Sequence, residues 1–470
     1  MAQAKAPALL NDVTKYHNRG DIAWGSCVGR CEMDGDFSGL DDLMTEDAAV
    51  VRTLANAYGA WITKFGIDGF RIDTAKHVDP YFFGRWLPLI DGAAAAAGKP
   101  GFTTFGEIVY SDPAQLSEMM LKRRLPSVLD FPFQDTVKKF VLEQASGASL
   151  AALFDADDYY TSAGTNAYGL TTFLGNHDMG RIGFFIENGP SSDPAVLLQR
   201  DLLAHDLLYL TRGVPVVYYG DEAGMTGGGD GTDKQARQDM FATKVPEWQT
   251  QARIGSAPVG TGSSLTGSSP IADRMAQLAA VRKANPALAD GAQITRLGAD
   301  GIFATSRIDT AARTEYVVAF NTTGQPHTVT VPTSTPSATW TGLLGTPSAA
   351  SGADARMSLT VPARGTVVLR SDHPLPTPPA PSVSVKTASD AITGKYRLTA
   401  VVPGIDPSSV TFLRREPAGW TVIGTDDARP FRVFVPPTGG RPVDIAAVVT
   451  DSSGAVAPSP VVRVRLVPFL

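Results

Sequence analysis

Two hydrophobic periods alternate along the first half of the chain. From residue 50, Val50, Val51, Leu54, Ala57, Tyr58, Trp61, Ile62 and Phe65 recur at helical spacing. Thr45 is placed to cap that helix, Glu46 and Asp47 fall in its first turn, and Gly66 is placed to stop it. The period then drops to two. Over Ile67 to Asp73, Phe70 and Ile72 fall on one face and Arg71 and Asp73 on the other, which predicts a buried strand that ends in charge. A helix near 81–97 and a strand over 102–109 follow. Two further helix-and-strand units place strands at 127–131 and 170–174, and a helix over 195–210 leads to a strand over 214–219. Five strands alternating with helices predict a parallel sheet with both faces covered. Polar residues gather at the C-terminal end of each strand, where α/β barrels and open α/β sheets carry their sites.

From about residue 290 the texture changes. Short alternating runs at 302–306, 316–320, 327–331 and 365–369, with turn residues between them, predict an all-β sandwich over 290–372. Residues 373–382 are Pro-rich and read as a semi-rigid linker. Residues 383–470 repeat the all-β pattern and predict a second sandwich of immunoglobulin type, with Trp420 and Phe431 in its core. Residues 1–45 have no clear period and read as loop.

The 470 residues suit roughly three domains. A hydrophobic share of 43% and a charged share of 19% are those of a globular protein. The net charge of -6, with no Lys/Arg-rich run, argues against a nucleic-acid partner. No apolar run approaches the ~18–20 residues of a membrane helix, so no membrane partner is expected. The first residues, MAQAKAPALLNDV, hold no apolar core long enough for a signal peptide. Cys27 and Cys31 can form a small disulfide, which would suit an oxidising compartment, or remain two thiols. A metal site is the weaker reading, because no second Cys or His pair accompanies them.

Three acids, Asp73, Glu107 and Asp178, stand at the ends of three predicted strands. One such acid is ordinarily a surface carboxylate or a loop cap, and an Arg-x-Asp pair is ordinarily structural. Three at equivalent positions of successive units point to a site. Neighbouring strands lie about 5 Å apart, close to the ~5–5.5 Å carboxyl separation of a retaining glycosidase. One carboxylate would attack the anomeric carbon while the other protonates the leaving oxygen. Negative charge on Asp73 is expected to raise the pKa of Glu107, and Arg71 to keep Asp73 ionised. Asp178, in Gly175-Asn176-His177-Asp178, is placed to hold sugar hydroxyls, with His177 as a hydrogen-bond partner.

The runs Gly69-Phe-Arg-Ile-Asp-Thr-Ala-Lys-His77, Phe105-Gly-Glu-Ile-Val109 and Phe173-Leu-Gly-Asn-His-Asp178, supported by Val214–Glu222 and Gly39–Leu43, resemble the α-amylase family of glycoside hydrolases (family 13) over roughly residues 10–370. The resemblance implies a (β/α)8 TIM-type barrel followed by all-β domains. It implies Asp73 as nucleophile, Glu107 as general acid/base and Asp178 as transition-state stabiliser. Arg71 would stand at the nucleophile, His177 at the sugar bound there, and Lys76 and His77 on the leaving-group side. The implied substrates are α-linked glucans such as starch and maltodextrins, cleaved at α-1,4 bonds by a monomer. A transglycosylase, which passes the sugar to another hydroxyl, is the near alternative.

The family's first signature, Asp-x-x-x-Asn-His on the third strand, has no counterpart here. The barrel is therefore expected to lack roughly its first three strands. Residues 1–45 would be a remnant of the loop domain inserted after strand three, and 46–289 the partial barrel. Of the family's usual calcium site, Asp42 and the backbone carbonyl of His77 remain as matching positions, whereas Ca2+ prefers 6–8 oxygens. A full-length form is expected to be extracellular. A non-catalytic carbohydrate-binding or structural fragment is the alternative from another class.

Overall fold

The computed structural model describes residues 5–27, 30–241, 243–260, 265, 268–377, 379–403 and 408–467. The head of the 1–45 stretch and Pro378 of the predicted linker lie outside them. The chain forms two compact units, 1–129 and 130–470, so the stretch expected as one partial barrel is divided between them.

In the first unit a one-turn helix α1 (Cys31–Asp34) precedes the long helix α2 (Ala48–Phe65). The cap of α2 is Asp47 and differs from the expected Thr45: the Asp47 carboxylate accepts from the Ala49 and Val50 N–H groups. Thr45 is used elsewhere, its hydroxyl accepting from the Asp79 N–H at 3.1 Å. Gly66 ends α2 in the left-handed conformation, φ 71°, as its position predicts. Strand β1 (Gly69–Ile72) pairs in parallel with β2 (Thr103–Gly106), aligning Ile72 with Gly106. The helix α3 (Phe82–Ala96) connects them.

Strand β1 is not buried, contrary to expectation: Phe70 and Ile72 are half-buried and Arg71 is exposed. Among the described residues β1 has one partner, β2. The stripe on α2 is likewise uncovered at its C-terminal half, with Tyr58 44%, Trp61 52% and Phe65 68% exposed. The strand predicted at 127–131 shrinks to bridge residues at Val128 and Leu129, with Val128 in parallel register with Gly106. Its end is claimed by a helix, Phe131–Val141, which Asp130 caps by accepting from the Phe133 N–H.

In the second unit β3 (Thr171–Phe173) pairs in parallel with β4 (Val214–Val216). No closed barrel forms among the described residues. Helix Pro194–Leu210 is buried along most of its length, and its Leu203 and Leu207 join Phe133, Phe140, Leu174 and Ile186 in the main core. A helix that the hydrophobic pattern left unread, Pro270–Ala284, contributes Ile271, Met275 and Leu278, one stripe at helical spacing.

Antiparallel sheets make up the rest. A six-stranded sheet built around Thr314–Asn321 and Gly365–Ser371 shares a core with the two-stranded antiparallel sheet of His327–Pro332 and Arg356–Val361. Three- and five-stranded sheets over 384–465 enclose Leu398, Phe412, Val433 and Ile445. Phe431 is in that core at 1% exposure, whereas Trp420 is 41% exposed on the edge strand Gly419–Asp426, which corrects its expected burial. This last sandwich is seated on its unit rather than merely tethered. Arg432 pairs with Asp158 at 2.5 Å and with Asp155 at 3.2 Å, and the Tyr168 hydroxyl donates to Asp427 at 2.9 Å.

Candidate active site

The β1–β2 register brings the first two acids together. One residue past the Ile72–Gly106 pair, Asp73 and Glu107 leave the same ends of adjacent parallel strands, and the Glu107 N–H donates to the Ile72 carbonyl at 2.8 Å. Arg71 spans both. Its guanidinium donates to Asp73 Oδ1 at 2.5 Å and lies 3.1 Å from Glu107 Oε2. The Asp73 side chain is 64% exposed and that of Glu107 11%, so the pair has one wet and one dry member. A guanidinium that fits both carboxylates does so by its planar fork. The sequence reading assigned Arg71 to Asp73 alone.

Close packing fixes this geometry. A Cβ on Gly106 would stand 2.8 Å from Leu125 Cδ1 and 3.1 Å from the Ala75 Cβ. Thr74, directly after Asp73, is held at φ 47° in the left-handed region, where a β-branched residue is strained. The buried Arg123 holds the next turn by donating to the carbonyls of Ala75 and Lys76.

Lys76 and His77 sit on that turn, and both meet Glu32 of α1. Lys76 Nζ lies 3.1 Å from the Glu32 carboxylate and 4.9 Å from the Tyr110 ring centroid. His77 Nδ1 lies 2.9 Å from the Glu32 carbonyl, and the imidazole packs edge-on against Trp24 and Phe37. Cys27 and Cys31 are joined in a disulfide at the start of α1.

Asp42 is engaged by protein rather than open. His17 Nδ1 lies 2.5 Å from its Oδ2, and His17 Nε2 is 2.9 Å from Glu46. Burial pushes the Asp42 carboxyl up to about 6, with Asp34 and Asp36 adding to it against the pull of His17. Among the described residues no group of three or more His, Cys, Asp or Glu side chains could hold a metal. One carboxylate already taken by a histidine, with a carbonyl, falls short of a calcium shell. The residues present therefore do not fit a calcium ion, and no chemical step here passes through one.

The third acid lies in the second unit, on the turn that follows β3. Asn176 Oδ1 accepts from the Asp178 and Met179 N–H groups, and Asn176 and Gly180 exchange backbone hydrogen bonds. His177 Nε2 is 3.1 Å from Asp178 Oδ2. Arg237 donates to Asp178 Oδ1 at 2.8 Å and to the His177 carbonyl at 3.1 Å. The next arginine, Arg181, is buried against Asp221 at 3.0 Å and lies over the Tyr218 and Tyr219 rings. Burial raises Asp221 to about 6 despite the pull of Arg181 and His205. Neither Arg237 nor Glu32 carries a sequence signal: Arg237 lies outside any periodic stretch, Glu32 sits on the one-turn helix α1, too short to show a period, and each has its partner more than forty residues away.

Parallel α/β strands with acids at their C-terminal ends, followed by antiparallel sandwiches, define a multidomain α/β protein with a strand-end site. The chain belongs to the α-amylase family: the description "Alpha amylase, catalytic domain" matches residues 11–256. An α-amylase of Streptomyces lividans is 42% identical over 463 residues, covering 96% of this chain and 50% of that protein, so the chain spans about half of that relative's length. The fold resembles a solved α-amylase from Geobacillus thermoleovorans complexed with acarbose, at TM-score 0.62 and 22% identity, over 77% of this chain and 74% of that one. It also resembles a γ-cyclodextrin glucanotransferase (γ-CGTase) from an alkalophilic Bacillus clarkii, at TM-score 0.58 and 16% identity, over 96% and 74%.

Proposed function

We propose that this chain carries the catalytic acids of a retaining glycoside hydrolase that cleaves α-1,4-glucosidic bonds of starch-type glucans. The observation that carries the reading is the Arg71 guanidinium shared by Asp73 and Glu107 at adjacent strand ends. Asp73, exposed and oriented by Arg71, attacks the anomeric carbon. Glu107 gives its proton to the leaving oxygen, and the glucosyl group is left esterified to Asp73. Glu107 then takes a proton from water as the water attacks, and the sugar departs with retained configuration. The family resemblance assigns Asp178 and His177 to hydroxyls of the bound sugar, and Lys76 and His77 to the leaving-group side. Membership of the α-amylase family, and the acarbose bound by the Geobacillus relative, support a glucan substrate.

Transfer to a sugar hydroxyl is the second reading, supported by the likeness to the γ-CGTase, which extends over 96% of this chain. The same covalent intermediate serves both. The chain assayed on soluble starch and on pullulan, beside Glu107→Gln, is expected to release reducing sugar from starch, with the variant at least ~100-fold slower. Equal turnover by the two proteins would remove Glu107 from its role. Glucan binding without turnover by either would leave a carbohydrate-binding protein. A product series longer than the substrate would favour transfer.

A further inference from the structure

We infer that Glu32 is a positioning residue that sets which glucans this site accepts, by holding Lys76 and His77 together on the leaving-group side. The inference rests on the placement of Lys76 and His77 proposed above and extends it to a residue of helix α1. One residue makes both contacts. The Glu32 carboxylate holds Lys76 Nζ at 3.1 Å, and its main-chain carbonyl lies 2.9 Å from His77 Nδ1.

Each contact has a chemical consequence. A carbonyl can only accept, so His77 Nδ1 carries the proton. In the neutral ring Nε2 is then left as an acceptor for a sugar hydroxyl. Lys76 has three donors. With Glu32 on one side and the Tyr110 ring on the other, the ammonium is confined to a narrow range of positions, and a donor remains for a second hydroxyl. A ring nitrogen that can accept, beside an ammonium that donates, suits adjacent hydroxyls of one sugar ring.

Glu32 is itself held. It follows Cys31, whose disulfide with Cys27 closes the loop ahead of α1, and Arg30 on the same turn pairs with Asp34 and Asp79, each at 3.0 Å. Arg123 fixes the opposite side through the carbonyls of Ala75, Lys76 and Val78. The turn bearing Lys76 and His77 is thus clamped between two elements that carry none of the catalytic acids.

Glu32→Gln keeps the carbonyl contact and the shape but removes the charge that holds Lys76. The full chain and this variant are compared on maltoheptaose, which extends well past the cleavage point, and on a 4-nitrophenyl maltotrioside, whose single-ring leaving group does not. The expected result is a rise in KM for maltoheptaose of about three- to tenfold with kcat nearly unchanged, and unchanged constants for the nitrophenyl substrate. Constants that move in step on both substrates would make Glu32 merely structural, and constants that move on neither would remove it; both overturn the inference. Independently of turnover, 13C-dimethylated lysines report the contact directly. The Lys76 resonance, identified by its loss in Lys76→Ala, is expected to shift in Glu32→Gln, and an unmoved resonance overturns the inference. Should the chain cleave neither substrate, the hydrolase reading fails, while the lysine resonance still decides the Glu32 contact.

Discussion

Arg71 shows how far single residues could be read. The alternation in Phe70-Arg71-Ile72-Asp73 put its side chain beside Asp73, and the structure does so at 2.5 Å. Its second partner, Glu107, was beyond that reasoning, because a strand's own period says nothing of its neighbour's register. The bidentate role gives a residue-scale expectation. Arg71→Lys keeps the charge but cannot span two carboxylates, so kcat on starch is expected to fall by about 10^2 or more while the thermal midpoint changes little. Comparable kcat in Arg71→Lys would show that charge alone suffices. Arg237 and Glu32 mark the opposite limit. Their partners, Asp178 and Lys76, are brought to them by folding across 59 and 44 positions, which no local pattern encodes.

At the scale of elements, periodicity located four of the five parallel strands and the three helices it named, but misjudged ends and burial. The α2 cap moved two residues because Thr45 bonds the Asp79 N–H and leaves the α2 donors to Asp47, which Lys15 also holds at 2.9 Å. Asp47→Ala is expected to destabilise the first unit by about 1 kcal/mol, whereas Thr45→Ala leaves the helix cap intact. Denaturant midpoints of the two variants check this, and equal losses would assign no special role to Asp47. Gly106→Ala is expected to cost more activity than either, since its added methyl meets Leu125 and Ala75 and displaces Glu107. The strand predicted at 127–131 does not continue past Leu129 because an Asp-Phe-Pro sequence is a better helix start than a strand end. Burial of β1 was misjudged because alternation predicts a covered face only when something covers it, and β1 pairs on one edge.

Across the second unit, the Pro-rich stretch reads as a semi-rigid linker, and beyond it Arg432 and Asp427 dock the last sandwich onto the segment around Asp158 and Tyr168. Beside a cavity of about 460 Å3 this contact gathers Asp157, Asp158, Asp426 and Asp427. Burial pushes Asp158 up to about 7, and Asp157 and Asp155 add to it against the pull of Arg432. Burial and Asp158 together hold Asp426 well above the usual carboxylate range. The folded form thus keeps a proton that the unfolded chain releases near pH 4. Its contribution to stability is present at low pH and is lost as the pH rises to about 7, by at most ~1.4 kcal/mol per pH unit for one group. Asp426→Asn, which cannot ionise, is expected to flatten the dependence of the thermal midpoint between pH 4.5 and 7.5. A variant with the wild-type slope would place the retained proton elsewhere. None of this was legible in sequence, where the four acids lie more than 260 residues apart in two pairs.

In the proposed mechanism Asp73 becomes covalently attached to the sugar. Incubation of the chain with 5-fluoro-α-glucosyl fluoride, then proteolysis and mass spectrometry, reads this out: the ring fluorine slows both formation and release of the glycosyl-enzyme, and the anomeric fluoride, a good leaving group, restores formation alone, so the intermediate accumulates. One added fluorohexosyl group is expected on the peptide spanning Gly69–His77, lost after Asp73→Ala and retained after Glu107→Gln. Label on another carboxylate, or starch hydrolysis by the chain with Asp73 never modified, would contradict it.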